Sequence, residues 1–208
     1  MSYKDRIYEL KNKCYECKEC PLGRDLVDGL DPHVFAVGKV PADIMVVGEA
    51  PGADEVKLKK PFVGRAGQLL TNNILATAEL QRKDVFITNS VLYRPEGNGK
   101  PLPVELKLCR THLDAQIVLN DPKLIVAFGN YATQQLCDKT GITKLRGKLM
   151  WSREWSNGMK YPVFPMFHPS YNLHGSGIKE SKEDSWTLRK YAKLIADGVE
   201  ISGDNWYV

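Results

Sequence analysis

Four short apolar runs punctuate the chain: residues 43–47, 84–89, 124–128 and 163–167. Each is too short for a buried helix and rich in Val, Ile or Phe, as expected of strands covered on both faces. Between them the apolar positions fall at helical spacing. Tyr3, Ile7 and Leu10 mark a helix over 3–13, and Leu69, Leu70, Ile74 and Leu75 mark one over 64–80. Pro103 with Glu105 opens a helix that runs to about residue 119, because proline suits a first turn and an early acid favours the positive end of the helix dipole. Two more helices are predicted over 129–137 and 183–196, and a short segment after Arg146-Gly147-Lys148 is read as an edge strand. Residues 23–42, with Asp28-Gly29 and Asp31-Pro32, read as a long surface loop. The alternation predicts a three-layer α/β/α sandwich around a central, mainly parallel four-stranded sheet. It is a single domain, 1–208, with an N-terminal cysteine-rich arm over 1–24 and a tail over 197–208.

One stretch breaks the pattern. After the first strand come Gly48-Glu49-Ala50-Pro51-Gly52 and Lys60-Pro61-Phe62-Val63-Gly64-Arg65-Ala66-Gly67. Glycines permit unusual backbone angles and prolines remove donors, so the stretch before the helix reads as a loop without regular structure, shaped for a ligand's approach. Open sheets bind ligands at the carboxyl ends of their strands. Asn89 ends the second predicted strand and His168-Pro169-Ser170 follows the fourth, so Phe62, Asn89 and His168 face one crevice. Singly, each residue has an ordinary structural explanation. Together, a ring to stack on, a carboxamide with one donor and one acceptor, and an imidazole make a pocket for a planar heterocycle.

Composition changes this picture little. The chain has 208 residues, 43% of them hydrophobic, enough for a real core. Its net charge of +4 permits a polyanionic partner without requiring one. No apolar run approaches membrane-spanning length and the N-terminus lacks a signal's apolar region, so no membrane partner and a cytoplasmic, reducing setting are expected. Cys14, Cys17 and Cys20 repeat at three-residue spacing, which in such a compartment suggests metal or iron–sulfur ligation rather than disulfides. Free thiols are the plainer alternative. A four-thiolate site would draw its fourth ligand from Cys109 or Cys137.

Taken in order, Gly48-Glu49-Ala50-Pro51-Gly52, Pro61-Phe62-Val63-Gly64-Arg65-Ala66-Gly67, Thr88-Asn89 and His168-Pro169-Ser170 resemble the motifs of the iron–sulfur family 4 uracil-DNA glycosylases. The resemblance runs from Cys17-Lys18-Glu19-Cys20-Pro21-Leu22 to about Lys193. It implies hydrolysis of the N-glycosidic bond of flipped-out uracil in single- or double-stranded DNA by a monomeric base-excision repair enzyme. On this resemblance Phe62 stacks on the uracil, Asn89 reads its Watson–Crick edge and His168 hydrogen-bonds O2 of the departing base. Gly48, Glu49, Ala50 and Glu55 lie in the loop that holds the water and faces the C5 edge, with Glu49 and Glu55 as catalytic acids of unseparated role. Ser170 and the following Tyr171 and Leu173 belong to the segment that enters the minor groove, where an apolar side chain fills the gap left by the extruded base. Arg65 and Arg146, with Lys144 and Lys148, are candidate phosphate contacts.

The chain departs from the resemblance at the cluster. Cys17, Cys20 and Cys109 match three of four expected ligands, but Tyr93 stands where the third is expected. Cys14 offers a replacement, giving a 4Fe–4S set of Cys14, Cys17, Cys20 and Cys109. A labile three-thiolate cluster, another metal or none are the alternatives. Two other functional classes are compatible with the sequence. A catalytically weak or inactive glycosylase-like module of a larger replication or repair protein is the main competitor. A nucleotide-binding α/β protein ranks last for want of a phosphate-cradling loop.

Overall fold

The computed structural model describes residues 2–23 and 29–202. Asp28 and the tail aromatics Trp206 and Tyr207 lie outside the described residues. The described elements are α1 (Tyr3–Glu16), β1 (Val37–Gly38), β2 (Ile44–Gly48), α2 (Ala53–Leu58) and α3 (Arg65–Leu69), which widens into a π-helical turn over Leu70–Leu75. There follow β3 (Phe86–Asn89), α4 (Pro103–Asn120), β4 (Leu124–Phe128), α5 (Gly129–Cys137), α6 (Ile142–Leu145), β5 (Met150–Trp151), β6 (Pro162–Met166), α7 (Pro169–Asn172) and α8 (Ile178–Ala196).

The strands form one six-stranded sheet in the order β1-β3-β2-β4-β6-β5. The inner four are parallel and are the four predicted from the apolar runs. The sheet is nonetheless wider than the four strands expected, because β1 and β5 add antiparallel at its edges. The predicted edge strand after Lys148 is β5. β1 lies inside the stretch read as a surface loop, where Val34, Phe35 and Ala42 are buried. A two-residue strand carries no alternation to read, so its pairing is set by the neighbour it meets.

Successive strand residues point to opposite faces and build two cores. Ile44, Val46, Val126, Phe128 and Phe164 pack with Leu70, Ile74, Leu188 and Tyr191 on one face. Met45, Val47, Ile125, Ala127 and Val163 pack with Leu113, Ile117, Ala132 and Leu136 on the other. The helices therefore cover both faces, as the three-layer prediction requires. From β2 the chain crosses to β3 on one side, while β4 leads to β6 on the other. The crevice outside the carboxyl ends of β2 and β4 is thus a topological switch point, where open sheets place their ligands.

Local chemistry explains the helix starts near that crevice. Glu55 caps α2 by accepting from Gly52 N at 3.1 Å, and Glu105 caps α4 by accepting from Leu102 N at 2.7 Å. α2 corrects the expectation that the glycine-rich stretch holds no regular structure. Its six residues are too few to show a helical period against flanking Gly and Pro. None of the described helices is long and apolar enough to cross a membrane.

Candidate active site

Parallel register brings the first two parts of the site together. Gly48 pairs with Asn89 across β2 and β3, so the Asn89 side chain rises beside a residue that has none. A Cβ on Gly48 would lie 2.4 Å from Asn89 Oδ1 and 2.4 Å from Phe62 Cζ. Carboxamide and ring therefore both pack against the bare Gly48 backbone. Asn89 is 3% exposed and Phe62 6% exposed. The third part comes from beyond β6: the His168 ring lies 5.8 Å from that of Phe62.

A cleft of about 320 Å³ opens over these groups. Of the predicted residues, Glu49, Ala50, Glu55, Phe62, Asn89, His168 and Ser170 line it. Pro95, Asn98 and Gly99 form a wall that sequence reasoning missed. Their turn is held by Arg94 Nε donating to Asn98 Oδ1 at 2.9 Å, an interaction with no sequence period to betray it.

The electrostatics differ from group to group. His168 Nδ1 accepts from Ser170 N at 3.2 Å and contacts Ser170 Oγ at 2.7 Å. An accepting Nδ1 leaves the ring proton on Nε2. Burial lowers the His168 pKa to about 4, so the imidazole is a neutral donor at ordinary pH. Burial raises the Glu49 carboxyl above its usual range, against the pull of the Lys100 cation. Glu55 sits differently. Its Oε1 accepts from Val63 N and Gly64 N, both at 2.9 Å, and its Oε2 from Gly52 N, so both oxygens are already bonded to the loop.

The predicted nucleic-acid contacts separate. Arg65 is exposed on α3 beside the cleft-lining Ala66, and Lys144 and Lys148 are exposed on the surface. Tyr171 is 48% exposed and leans on Phe167 at 4.9 Å, whereas Leu173 is half-buried. Arg146 is already engaged. Its guanidinium forms a two-pronged pair with Asp184, at 2.6 and 2.8 Å, donates to Glu180 O and lies over the Phe167 ring. A planar fork already matched to a buried carboxylate is a tether between elements and leaves little for a phosphate.

The cysteine arm packs as a third buried cluster with Tyr93, Leu106 and Cys109. Tyr93 is fully buried; its hydroxyl donates to Cys14 O at 2.8 Å, closing the end of α1 onto the body. The Cys14 thiol meets His112 Nδ1 at 3.3 Å, and burial pushes its pKa up to about 12. Cys109 is raised further, by its hydrogen bond with Cys20 and by burial. Among the described residues no group of three or more His, Cys, Asp or Glu side chains is placed to hold a metal ion. A phenol stands at the third expected position and the Cys14 thiol meets His112, while Cys109 is hydrogen-bonded to Cys20.

A family model described as the uracil DNA glycosylase superfamily matches residues 35–192, the span that contains every wall of the cleft. The chain belongs to that superfamily. Among curated relatives, a type-4 uracil-DNA glycosylase of Sulfurisphaera tokodaii is 37% identical over 188 residues, covering 88% of this chain and 82% of the relative. One from Thermotoga maritima is 41% identical over 160 residues, covering 76% and 78%. A DNA polymerase of Bacillus phage SP01 is 35% identical over 133 residues, which are 64% of this chain but 14% of the polymerase. In this uracil-DNA glycosylase superfamily chain, the loop over 49–52, Phe62, Asn89 and the His168 segment line the cleft, and the turn over 95–99 adds a further wall.

Proposed function

We propose that the chain is a uracil-DNA glycosylase of base-excision repair, cleaving the bond between uracil and deoxyribose to leave an abasic site. The observation that carries this reading is the packing of Asn89 and Phe62 against Gly48 with the neutral His168 ring 5.8 Å from that of Phe62. An extruded uracil stacks on Phe62 and gives its O4 and N3–H edge to the Asn89 amide. As the C1′–N1 bond breaks, its electron pair moves onto the base. The His168 donor stabilises the charge that gathers at O2, and neutral imidazole suffices because the base leaves as an anion. Glu49, on the sugar side, stabilises the positive charge at C1′ and accepts the proton of the water that adds there. We assign Glu55 to holding the loop rather than to acid–base chemistry. Arg65, Ser170 and Tyr171 are the proposed DNA contacts, with Tyr171, the more exposed of the two candidates, as the wedge.

The test is excision from a labelled uracil oligonucleotide followed by alkaline cleavage of the abasic site. An uncut strand at enzyme excess refutes the reading. The acid limb of kcat/KM should follow Glu49: the rate falls as pH drops through its raised pKa, whereas His168 stays neutral until about pH 4. That limb should be missing from the residual rate of Glu49→Gln; its persistence there would assign it to another group.

The match to part of a phage polymerase favours a second reading, a glycosylase-like module serving a larger replication protein. The same assay separates the two, since an inactive module binds the oligonucleotide without cutting it.

For the arm we propose closure by Tyr93 without an iron–sulfur cluster. Protein purified under reducing conditions should be colourless and carry less than one iron per chain. Iron and sulfide at about four each per chain, the content of a 4Fe–4S cluster, would overturn this.

A further inference from the structure

Phe62 presents its ring from a backbone conformation that L residues avoid, with φ of 54°. The groups that hold it there bond the backbone of the turn. Arg82, in the connection leading into β3, donates through Nη1 to Phe62 O at 2.9 Å and through Nη2 to Pro61 O at 2.8 Å. Nη1 also reaches Thr71 Oγ1 at 3.3 Å, which ties the fork to the π-helical turn. On the other side of the turn, Glu55 holds the amides of Val63 and Gly64. Gly67 completes the seat: a Cβ there would stand 1.9 Å from Phe62 O. Arg82 does not line the cleft.

We infer that Arg82 is a positioning residue for base stacking, its guanidinium clamping the Pro61 and Phe62 carbonyls so that the strained turn keeps the Phe62 ring over Gly48 and beside Asn89. The inference rests on the glycosylase reading and adds a residue that does not touch the base. A planar fork can hold two carbonyls in fixed relative orientation, which a single ammonium cannot. Without the fork the turn relaxes toward negative φ and the ring leaves the Asn89 wall. Strain of this kind persists only where its surroundings over-determine it.

The experiment compares wild type, Arg82→Met and Arg82→Lys as full chains in single-turnover excision of uracil. Arg82→Met should be about 100-fold slower, the scale expected of a ring misplaced by about 1 Å, with Arg82→Lys between. Affinity for duplex containing a tetrahydrofuran abasic analogue should stay within about twofold of wild type, because that DNA has no base to stack. In a Phe62→Ala background, Arg82→Met should cost no more than about twofold further. Wild-type excision in both Arg82 variants, or a loss that multiplies undiminished in the Phe62→Ala background, overturns the inference. Amide hydrogen exchange judges the clamp without uracil chemistry: Val63 and Gly64 should exchange at least about tenfold faster in Arg82→Lys, which keeps the charge and is the variant to rely on if Arg82→Met does not fold. Unchanged protection there overturns the clamp. A wild type that leaves uracil uncut refutes the glycosylase reading, and the exchange result still decides the clamp.

Discussion

Asn89→Ala should reduce uracil excision by about 10³-fold, or about 4 kcal/mol of transition-state stabilisation. Asn89 is 3% exposed at the end of β3, and its Oδ1 faces the Gly48 backbone, so its amide has little freedom to turn. On the proposed reading, a buried carboxamide held in this way pairs with the O4 and N3–H of uracil. Cytosine presents an amino group and a bare nitrogen at those positions and leaves the site's polar atoms unpaired. Alanine removes both the stabilisation and the discrimination. Single-turnover rates on uracil-containing strands measure the first, and competition by cytosine-containing strands measures the second. A variant that retains wild-type rate and selectivity would remove Asn89 from base reading altogether.

Gly48→Ala should lower kcat/KM by about 100-fold while costing only about 1–3 kcal/mol of stability. The position is a clean steric probe, because Gly48 has no left-handed backbone to forbid a side chain. The only obstacle is space. A methyl group there lies 2.4 Å from Asn89 Oδ1 and 2.4 and 2.7 Å from two atoms of the Phe62 ring. The sheet should survive, since Gly48 O still accepts from Ser90 N and Ser90 Oγ, both at 2.8 Å. The Phe62 backbone is clamped by Arg82 and Glu55, so the ring and the amide must give way by side-chain rotation. Urea melts separate the stability cost from the activity loss. Unimpaired excision by a folded Gly48→Ala protein would show that base reading does not depend on this packing.

Sequence reasoning reached the inner sheet because buried parallel strands are continuous apolar runs, and 43–47, 84–89, 124–128 and 163–167 each became one. It reached the cleft because strand ends in such a sheet face one way. The same reasoning missed α2, β1, the Pro95–Gly99 wall and the engagement of Arg146, whose partner Asp184 lies 38 positions away. The cysteine spacing pointed to a cluster. In the fold, Tyr93 holds the arm through a backbone carbonyl, a contact that spans 79 positions.

By itself, the sequence determined the layers of this protein, the order of its longer helices and parallel strands, and the residue types that meet at the strand ends, because periodicity and strand polarity are local properties of a chain. Tertiary structure alone decided which of those residues line the cleft and which hold others in place. Glu55 reads in the sequence as a catalytic acid, and Arg82 carries no signal there at all. Only folding sets them about Phe62, where their hydrogen bonds go mainly to backbone, because the partners of a charged side chain are fixed by contacts distant in sequence.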